Sequence, residues 1–459
     1  MDRAPDPFAD LVARLRSTFD AGRTRDLAWR RRQLDGLRRM MVEEEAALTG
    51  ALRADLNKPL QEARITETAF VAGEADYAAR RLERWSAPRR VRTPIVAQPG
   101  SSRIVPEPLG VVLIIGAWNY PVQLVLAPLV GALAAGNCAV LKPSEVSAAT
   151  SRLLATLIPK YLDPDAVAIV EGGVDETSAL LAQRFDHILY TGNGTVGRIV
   201  MTAAARHLTP VTLELGGKSP CIVTRAADLD VAARRIAWGK WMNAGQTCIA
   251  PDFLLVERGL ASTLVERLRA EVKRMYGDDP SRSPDYGRIV NERHTRRIAG
   301  YMEGGRIAFG GDVDLGARYI APTVLVDVAL DAPVMTEEIF GPVLPLIEVD
   351  SLQAAIDVVL ARDKPLALYL FGDDAEADRL IERTSAGMVG VNDTLMFHAV
   401  PELPFGGIGA SGTGSYTGRS GFETFSHLKP VLRRGTIFDL DVRYPPFTAR
   451  KLGMLRRLR

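Results

Sequence analysis

The feature that most constrains the fold is the long stretch from Pro108 to Leu141, which contains no charged residue. Its length would cross a bilayer, but Pro121 and Pro128 would interrupt a spanning helix, and Asn119 and Asn137 would be costly in lipid. Its glycines fit turns between short buried elements. The stretch therefore predicts one βαβ unit, with a strand at 110–115, a helix at 122–135 and a strand at 138–142.

The rest of the chain predicts an α/β protein. Residues 8–85 read as helices, because apolar residues recur at helical spacing with charged residues on the other face. Segment 91–105 predicts two short strands around Pro99-Gly100, and alternating strands and helices from 110 to about 208 indicate a parallel sheet with covering helices. The second half predicts strands at 219–223 and 253–256 and helices at 231–242 and 261–276. A length of 459 residues, 47% of them hydrophobic, supports more than one core.

Charge and cysteine content exclude several classes of protein. A formal net charge of +2, with acidic and basic residues interspersed, gives no field of one sign that would collect nucleic acid. Three cysteines cannot form a disulfide framework, and the first residues lack the apolar core of a signal peptide. We therefore expect a cytoplasmic protein with free thiols. Cys138 and Cys221 lie in apolar elements and are expected to be structural.

Three segments carry candidate catalytic groups. Cys248 follows the glycine-containing segment 243–247, where a thiol can be held exposed beside backbone N–H donors. Glu214 lies in an apolar stretch that breaks at paired glycines, a setting that can raise a carboxyl pKa toward the range of a general base. Asn119 follows an apolar run and offers its side-chain amide as an oxyanion donor. A nucleophile, a base and an oxyanion donor together predict covalent catalysis.

These segments resemble the aldehyde dehydrogenase superfamily, and the resemblance covers nearly the whole chain. It extends to three further motifs, Lys142-Pro-Ser-Glu145, Glu337-Glu-Ile-Phe-Gly-Pro342 and Leu403-Pro-Phe-Gly-Gly-Ile-Gly409. Within the superfamily, the segments 241–252, 362–371 and 421–427 resemble the class 3 branch of fatty and aromatic aldehyde dehydrogenases, as does the short chain.

The resemblance implies the aldehyde dehydrogenase fold, with a Rossmann-like nucleotide-binding domain, an α/β catalytic domain and a small β oligomerisation arm. The implied ranges are 1–85 and 105–210 for the first domain, 211–395 for the second, 86–104 and 396–445 for the arm, and 446–459 for a basic C-terminal tail. A homodimer is implied for class 3. The tail reads as a short basic helix without a transmembrane anchor, and it leaves weak contact with a membrane surface open.

The cofactor implied by the resemblance is NAD, with NADP left open. Segment 185–197 predicts a strand, a glycine turn and a helix that begins near Thr195, although Gly194 stands where the family usually has Thr. A carboxylate such as Glu145 can accept both ribose hydroxyls but would repel a 2′-phosphate, and Lys142 could offset that repulsion. The implied cofactor-binding residues are Lys142, Glu145, Thr191, Gly192, Asn193, Gly197, Leu215, Gly216, Glu338 and Phe340, the last two at the nicotinamide end.

The implied reaction is the oxidation of an aldehyde to a carboxylic acid. Cys248 attacks the carbonyl, Asn119 and the Cys248 N–H hold the oxyanion, and hydride leaves for the nicotinamide. A water deprotonated by Glu214 then hydrolyses the thioester. Two alternatives stay open: a CoA-acylating enzyme of the same superfamily, and a cofactor-binding protein of this fold without turnover.

An apolar substrate pocket is predicted from large side chains near the candidate nucleophile. Its expected lining is Tyr120, Trp238, Met242 and Phe397, for a medium or long aliphatic or an aromatic aldehyde. The five histidines show no ligand-spaced partners, so no metal site is predicted.

Overall fold

The fold is described from a computed structural model, and the described residues are 8–437, 439 and 441–456. Outside them lie residues 1–7 of the predicted first domain, 438 and 440 of the predicted arm, and 457–459 of the predicted tail. The α-helices are α1 (Ala9–Asp20), α2 (Leu27–Glu43), α3 (Glu45–Leu56), α4 (Leu60–Ala63), α5 (Ala69–Ser86), α6 (Gln123–Ala135), α7 (Ala148–Tyr161), α8 (Val174–Leu181), α9 (Gly194–Ala205), α10 (Leu229–Trp241), α11 (Ala261–Tyr276), α12 (Glu292–Gly300), α13 (Pro333–Thr336), α14 (Leu352–Leu360), α15 (Asp374–Arg383), α16 (Gly418–Thr424) and α17 (Ala449–Arg456). The strands are β1 (Arg89–Val91), β2 (Gly100–Pro108), β3 (Val111–Ile115), β4 (Cys138–Lys142), β5 (Val167–Ile169), β6 (His187–Gly192), β7 (Val211–Leu215), β8 (Pro220–Val223), β9 (Phe253–Glu257), β10 (Arg306–Phe309), β11 (Val313–Asp314), β12 (Tyr319–Ile320), β13 (Thr323–Val326), β14 (Val343–Val349), β15 (Ala367–Phe371), β16 (Met388–Val391), β17 (Gly412–Thr413) and β18 (Ser426–Arg434).

The uncharged stretch forms the predicted βαβ unit. Strands β3 and β4 pair in parallel, and α6 between them is buried along its whole length. The predicted helix at 122–135 is confirmed, since α6 runs through Pro128 and ends at Gly136 in the left-handed conformation. A helix enclosed by protein on every side keeps its packing energy when proline removes one hydrogen bond.

A six-stranded sheet carries this unit at its centre. Its order is β17-β7-β6-β3-β4-β5, and all neighbours pair in parallel except β17, which runs antiparallel to β7. The carboxyl ends of β3, β4, β6 and β7 therefore lie at one edge. In open α/β sheets ligands bind at this edge.

The N-terminal helices cover this sheet. The leucines and methionines that recur at helical spacing in α2 and α3 are buried, as the pattern predicts: Leu34, Leu37, Met41 and Leu48. Helix α2 begins at Asp26, whose carboxylate accepts hydrogen bonds from the backbone N–H groups of Ala28 and Trp29. A π-helical turn, Arg64–Thr68, joins α4 to α5. Such turns occur often at functional sites.

A seven-stranded sheet forms the second core. Its order is β10-β13-β14-β9-β8-β15-β16, with every pair parallel except β10 with β13. The segment that contains Cys248 connects α10 to β9 and so lies beside this sheet. The strands and helices predicted for the second half are confirmed to within two residues.

A three-stranded antiparallel sheet, in the order β1-β2-β18, joins the predicted hairpin to the C-terminal region. The hairpin is confirmed, but its first strand already ends at Val91 and its second runs from Gly100 to Pro108. Strand β18 pairs with β2 along nine residues and is an edge of this sheet.

Within the part of the chain that the structure describes, no helix has both the length and the apolar character needed to span a membrane. The tail forms α17, which confirms the predicted helix up to Arg456. Cys138, Cys221 and Cys248 are all free thiols, and the first two are buried.

Candidate active site

The loop that presents Cys248 begins with three successive left-handed residues. Asn243, Ala244 and Gly245 have φ values of 53°, 51° and 75°. Only glycine adopts this conformation without steric cost, so two of the three residues are held there by their surroundings. At Gly245 a side chain is excluded as well, since a Cβ atom would lie 2.2 Å from the Gly341 carbonyl oxygen. Strain of this kind concentrates at functional sites.

The Gln246 side chain holds the loop in place. Its Oε1 accepts a hydrogen bond from the Val290 N–H at 2.9 Å, and its Nε2 donates to the carbonyl oxygens of Asn243 and Arg288, each at 2.9 Å. The buried amide is thus satisfied at both ends. The turn before Cys248 is fixed from three directions.

The structure brings Asn119 to the same loop. Its buried side-chain Nδ2 donates to the Gln246 carbonyl oxygen at 3.0 Å, and its own carbonyl oxygen accepts from Asn243 Nδ2 at 2.9 Å. One of the two amide hydrogens is used by Gln246, which leaves the other for a charge that develops on a bound carbonyl oxygen. The fold therefore brings the predicted oxyanion donor to the loop that carries Cys248, and its role stays a prediction.

Glu214 lies beside Cys248. The carboxyl is 1% exposed near the end of β7, and the thiol is half-buried. Burial raises the pKa of Glu214 to about 8, and the neighbouring Cys248 lowers it in part. The pKa of Cys248 is raised well above its usual range by removal from water and by the carboxyls of Glu214 and Glu338. Near neutral pH both groups are therefore mostly protonated, and the Glu214 carboxylate becomes available as a base as the pH approaches 8.

Glu338 is a second carboxyl beside this pair. Burial raises the pKa of Glu338 to about 8, the carboxyls of Asp252 and Glu214 also raise it, and a hydrogen bond from the Gly217 N–H opposes them. Its Oε2 lies over Gly216, where a Cβ atom would approach to 1.9 Å. The glycine is thus needed for the carboxyl to reach its position.

The predicted cofactor residues of β6, α9 and β7 lie at the carboxyl edge of the six-stranded sheet. Thr191 is buried at the end of β6, and Asn193 caps α9 by accepting a hydrogen bond from the Val196 N–H at 3.0 Å. Gly197 lets α9 approach β7, since a Cβ atom would lie 2.9 Å from Leu215 Cδ2. Gly192 is the last residue of β6 and Gly216 follows β7, so this part of the predicted set lies at one edge.

The remaining cofactor residues flank that edge. Lys142 ends β4, and its buried Nζ lies 3.9 Å from Glu145 Oε2 and donates to the Pro143 carbonyl oxygen at 2.8 Å. Burial lowers the pKa of Lys142, whereas Glu145 is the foremost of the carboxyls that raise it. Phe340 has a positive φ of 49°, and its ring lies edge-on to Trp118 with centroids 5.3 Å apart.

These residues fit a dinucleotide. Thr191 Oγ1 is a buried hydroxyl without a hydrogen-bond partner among the residues described, and buried polar groups are normally satisfied. It lies at the sheet edge, beside the N-terminus of α9, where phosphate groups bind. Carboxylate, ammonium and hydroxyl groups along the same edge suit ribose and phosphate oxygens.

One predicted pocket residue contacts the Cys248 loop directly, and a second is connected to it through Tyr369. The Tyr120 and Thr247 hydroxyls are 2.6 Å apart. Phe397 stacks on Tyr369 with centroids 5.8 Å apart, and the Tyr369 hydroxyl donates to the Ile249 carbonyl oxygen at 2.6 Å. Trp238 is half-buried in α10 and Met242 is buried directly after it, and their contact with substrate stays a prediction.

Sequence reasoning missed several residues around the loop. Lys58 and Glu67 form a buried ion pair against the Asn119 segment. His398 contacts Gln123 and stacks on Phe70 with centroids 4.5 Å apart. Tyr416 is buried, and its hydroxyl has no partner in residues 8–437, 439 and 441–456. The sequence gives no signal for them, because a lysine and a glutamate nine residues apart look like surface charges, and the contacts of His398 join distant parts of the chain.

Comparisons with known proteins agree on one family. The profile described as "Aldehyde dehydrogenase family" matches residues 6–431. A Canis lupus familiaris protein named "Aldehyde dehydrogenase, dimeric NADP-preferring" is 50% identical over 446 residues, which cover 96% of this chain and 98% of that protein. "Aldehyde dehydrogenase family 3 member A2" of Rattus norvegicus is 52% identical over 445 residues, with coverage of 96% and 92%.

Solved structures give the same result. The substrate-bound Staphylococcus aureus AldH superposes with a TM-score of 0.95 at 41% identity, covering 97% of this chain and 98% of that one. An NAD-dependent aldehyde dehydrogenase from Sinorhizobium meliloti superposes with a TM-score of 0.87 at 31% identity, covering 97% and 89%.

Three groups lie beside a sheet edge that fits a nucleotide: a cysteine thiol, a buried carboxyl and a side-chain amide. Together they define a class of α/β oxidoreductases with a covalent thiol intermediate. The chain belongs to the aldehyde dehydrogenase family, and its relatives place it in class 3. It is an oxidoreductase that acts on aldehydes with NAD or NADP.

Among the residues described, no group of three or more His, Cys, Asp and Glu side chains is arranged to hold a metal ion.

Proposed function

We propose that Cys248 is the nucleophile, Glu214 the general base and Asn119 the side-chain oxyanion donor in the oxidation of an aldehyde to a carboxylic acid. The observation that carries this proposal is the Glu214 carboxyl. It is buried beside the Cys248 thiol, and its Oε1 has no hydrogen-bond partner in the described chain. Once ionised, such a carboxyl can take a proton from the thiol and, after releasing it, from a water molecule.

In the first half-reaction Glu214 accepts the thiol proton and Cys248 sulfur bonds to the aldehyde carbon. The carbonyl oxygen becomes an oxyanion, which Asn119 Nδ2 and the Cys248 backbone N–H stabilise by donating hydrogen bonds. The product is a thiohemiacetal on Cys248. Since the Asn243–Gly245 turn and Gln246 fix the loop before substrate arrives, these donors are preorganised.

The cofactor, when bound, supplies the acceptor for the hydride of the former aldehyde carbon. Lys142 and Glu145 would hold its adenine ribose, Thr191 and the N-terminus of α9 its phosphates, and Glu338 and Phe340 its nicotinamide end. Phe340 is packed against Trp118, which keeps its ring orientation fixed. These residues bind and orient, and the bond-making groups belong to the Cys248 loop.

Once Glu214 has released the thiol proton to solvent, its carboxylate deprotonates a water molecule, which attacks the thioester carbon in the second half-reaction. The carbonyl oxygen again becomes an oxyanion at the same donors, and the carboxylic acid leaves as Cys248 regains its proton. In a CoA-acylating enzyme the CoA thiol attacks the thioester, so no carboxyl is needed to activate water. The proposed use of Glu214 therefore favours hydrolysis over transfer to CoA.

The test measures reduced-nicotinamide absorbance with short, long and aromatic aldehydes, using NAD and NADP separately. Cys248→Ala is expected to lose oxidation while it still binds NAD, and Cys221→Ala, at a buried thiol remote in sequence from the loop, is the matched control. Oxidation by Cys248→Ala at the wild-type rate would contradict the nucleophile assignment. A rate that depends on added CoA would establish the CoA-acylating alternative, and cofactor binding without turnover in the wild type would establish the non-catalytic one.

The aromatic walls support a medium or long aliphatic or an aromatic aldehyde as substrate. Tyr120 contacts the loop directly, and Phe397 stacks on Tyr369, which contacts the loop through Ile249, so aromatic rings lie around the thiol segment. A Canis lupus familiaris relative carries "NADP-preferring" in its name, whereas the Glu145 carboxyl favours NAD in this chain, since it would repel a 2′-phosphate. The same aldehyde and cofactor panel ranks both preferences.

Assembly as a homodimer is supported by β18. This nine-residue edge strand, six of whose residues are exposed, pairs with β2 on one side and leaves its other side for a partner strand, and one relative is named "dimeric". We propose that the arm comprises 86–104 and 396–445, beside a nucleotide-binding domain of 1–85 and 105–210 and a catalytic domain of 211–395. Light scattering with size-exclusion chromatography tests the dimer, and a monomer at micromolar concentration would contradict it.

The free thiols support a reducing compartment, and we propose the cytoplasm. Helix α17 carries Arg450, Lys451 and Arg456 beside exposed Leu452 and Met454. This composition supports weak contact with anionic lipid. Co-sedimentation with phosphatidylserine vesicles tests that contact, and equal pelleting with neutral vesicles would contradict an electrostatic basis.

A further inference from the structure

A buried ion pair lies directly beneath the segment that carries Asn119. Lys58, in the connection between α3 and α4, is 1% exposed, and its Nζ is 2.5 Å from Glu67 Oε1 in the π-helical turn. Glu67 has no exposed surface. Removing both charges from water costs several kcal/mol per ion, so such a pair is weak evidence of a stabilising role.

Lys58 holds the backbone of Asn119 itself. Its Nζ donates a hydrogen bond to the Asn119 carbonyl oxygen at 3.0 Å and lies 4.0 Å from the centre of the Tyr120 ring. The same carbonyl oxygen accepts from Asn243 Nδ2, and the Asn119 side chain donates to Gln246. Asn119 is therefore held at its backbone carbonyl by Lys58 and Asn243, and at its side chain by the Gln246 carbonyl of the Cys248 loop.

Glu67 holds the other end of the same segment. Its Oε2 accepts hydrogen bonds from the backbone N–H groups of Val122 and Gln123 at 2.8 and 3.1 Å. These groups lie at the start of α6, where the helix leaves N–H groups without an intrahelical partner and favours a negative charge. The ion pair thus binds both ends of segment 119–123 and fixes its length and direction.

We infer that Lys58 and Glu67 are positioning residues, which hold the Asn119 amide at the distance from Cys248 that oxyanion stabilisation requires. This inference rests on the proposed role of Asn119. Neither side chain touches the reacting atoms, so both act through the Asn119 segment. Because a misplacement of about 1 Å in a catalytic group can lower a rate on the order of 10²-fold, the geometry of this support has a kinetic consequence.

The test uses Lys58→Met combined with Glu67→Gln, because removing one partner alone would leave an unpaired buried charge and endanger folding. Glutamine keeps a carbonyl oxygen for the N–H groups of Val122 and Gln123. We expect kcat for aldehyde oxidation to fall about 10- to 100-fold, whichever half-reaction is limiting, since the oxyanion forms in both. KM for the aldehyde and Kd for NAD are expected to stay within about twofold of wild type.

Two readouts separate positioning from a general structural role. Alkylation of Cys248 by iodoacetamide forms no oxyanion, so its rate should be unchanged in the double variant. In an Asn119→Ala background the double substitution should add no further loss, because residues that act through one group are not additive. All measurements are made across a range of pH, since burial raises the pKa of the neighbouring Glu62 to about 7 and the double variant removes Lys58, which opposes that shift.

Arg30→Met is the matched control at the other end of α6. Arg30 is also a buried cation, and it donates to the carbonyl oxygens of Thr24 and Ala134 at 2.9 and 3.2 Å. Its loss should lower stability and leave kcat per folded molecule unchanged.

The outcomes separate the two proposals. Three results would each overturn the positioning role. The double variant could keep kcat within about twofold of wild type, it could lower kcat fully again in the Asn119→Ala background, or its rate of Cys248 alkylation could fall in parallel with kcat. If Asn119→Ala alone retains wild-type kcat, the proposed role of Asn119 fails. If Asn119→Ala is inactive while the double variant is fully active, only the positioning role fails.

Discussion

Replacing Glu214 by glutamine should change activity and stability in opposite directions. The wild-type carboxyl must ionise to act as a base, so kcat is expected to rise with pH up to about 8, where burial places its pKa. Glu214→Gln removes that base from both half-reactions, so the attack by Cys248 should slow and any acyl group that forms on Cys248 should not be hydrolysed. The same ionisation is unfavourable in the folded state, since it charges a group that is 1% exposed.

The size of the stability effect follows from the two pKa values. The folded value is about 8 and the ordinary value is 4.5, so the folded protein binds more protons than the unfolded chain between them. Stability therefore falls as pH rises through this window, by about 1.4 kcal/mol per pH unit for one group. Glu214→Gln lacks this loss. Between pH 5.5 and 8 the variant should gain about 3 kcal/mol in free energy of unfolding relative to wild type.

Urea unfolding of both proteins at several pH values measures this difference. Mass spectrometry after mixing with aldehyde and NAD measures the trapped acyl group. The control is Glu423→Gln, which removes an exposed, ion-paired carboxyl, so its free energy of unfolding should follow that of wild type at every pH. Gln123→Glu is not a suitable control because it adds a charge. If the free energies of unfolding of Glu214→Gln and wild type differ by a constant amount over the whole pH range, burial does not raise the pKa of Glu214 and the reasoning is refuted.

Three further predictions follow from contacts in the site. Gly216→Ala should displace the Glu338 carboxyl, because a Cβ atom there would lie 1.9 Å from it, and should raise KM for NAD about tenfold. In the control Gly217→Ala the nearest atom to the added Cβ is 3.5 Å away, so KM for NAD should not change. Gln246→Ala should lower the free energy of unfolding by about 2–4 kcal/mol in urea titrations, because buried backbone groups of Val290, Asn243 and Arg288 lose their partners; an unchanged transition would contradict this. Glu145→Gln should raise kcat/KM with NADP relative to NAD several-fold by removing repulsion of the 2′-phosphate, and an unchanged ratio would exclude Glu145 from the ribose site.

Local sequence signals predicted the central fold because they coincide with local structure. The uncharged stretch, with Gly136 between its helix and second strand, yields β3, α6 and β4 within one residue of the expected bounds. The hairpin was placed less well, since β2 continues to Pro108 only because β18, from the far end of the chain, pairs along all of it. Pro128 shows the same limit, as burial from every side overrides the local preference of proline.

The site divides in the same way. Cys248, Glu214 and Asn119 each stand in a short motif, and the structure places the three together. Lys58 and Glu67 were missed because a lysine and a glutamate nine residues apart look like solvated surface charges. Their burial depends on the fold of segment 119–123, which no local pattern reveals.

Strand β17 has a consequence for synthesis on the ribosome. Its residues Gly412 and Thr413 complete the six-stranded sheet by pairing with Glu214 and Leu213 of β7. Until they emerge, β7 is an uncovered sheet edge in the nascent chain, and uncovered edges recruit other strands. The strand that carries the catalytic carboxyl is thus among the last to be enclosed, so ribosome-bound chains that stop before residue 412 should need chaperones to stay free of aggregation.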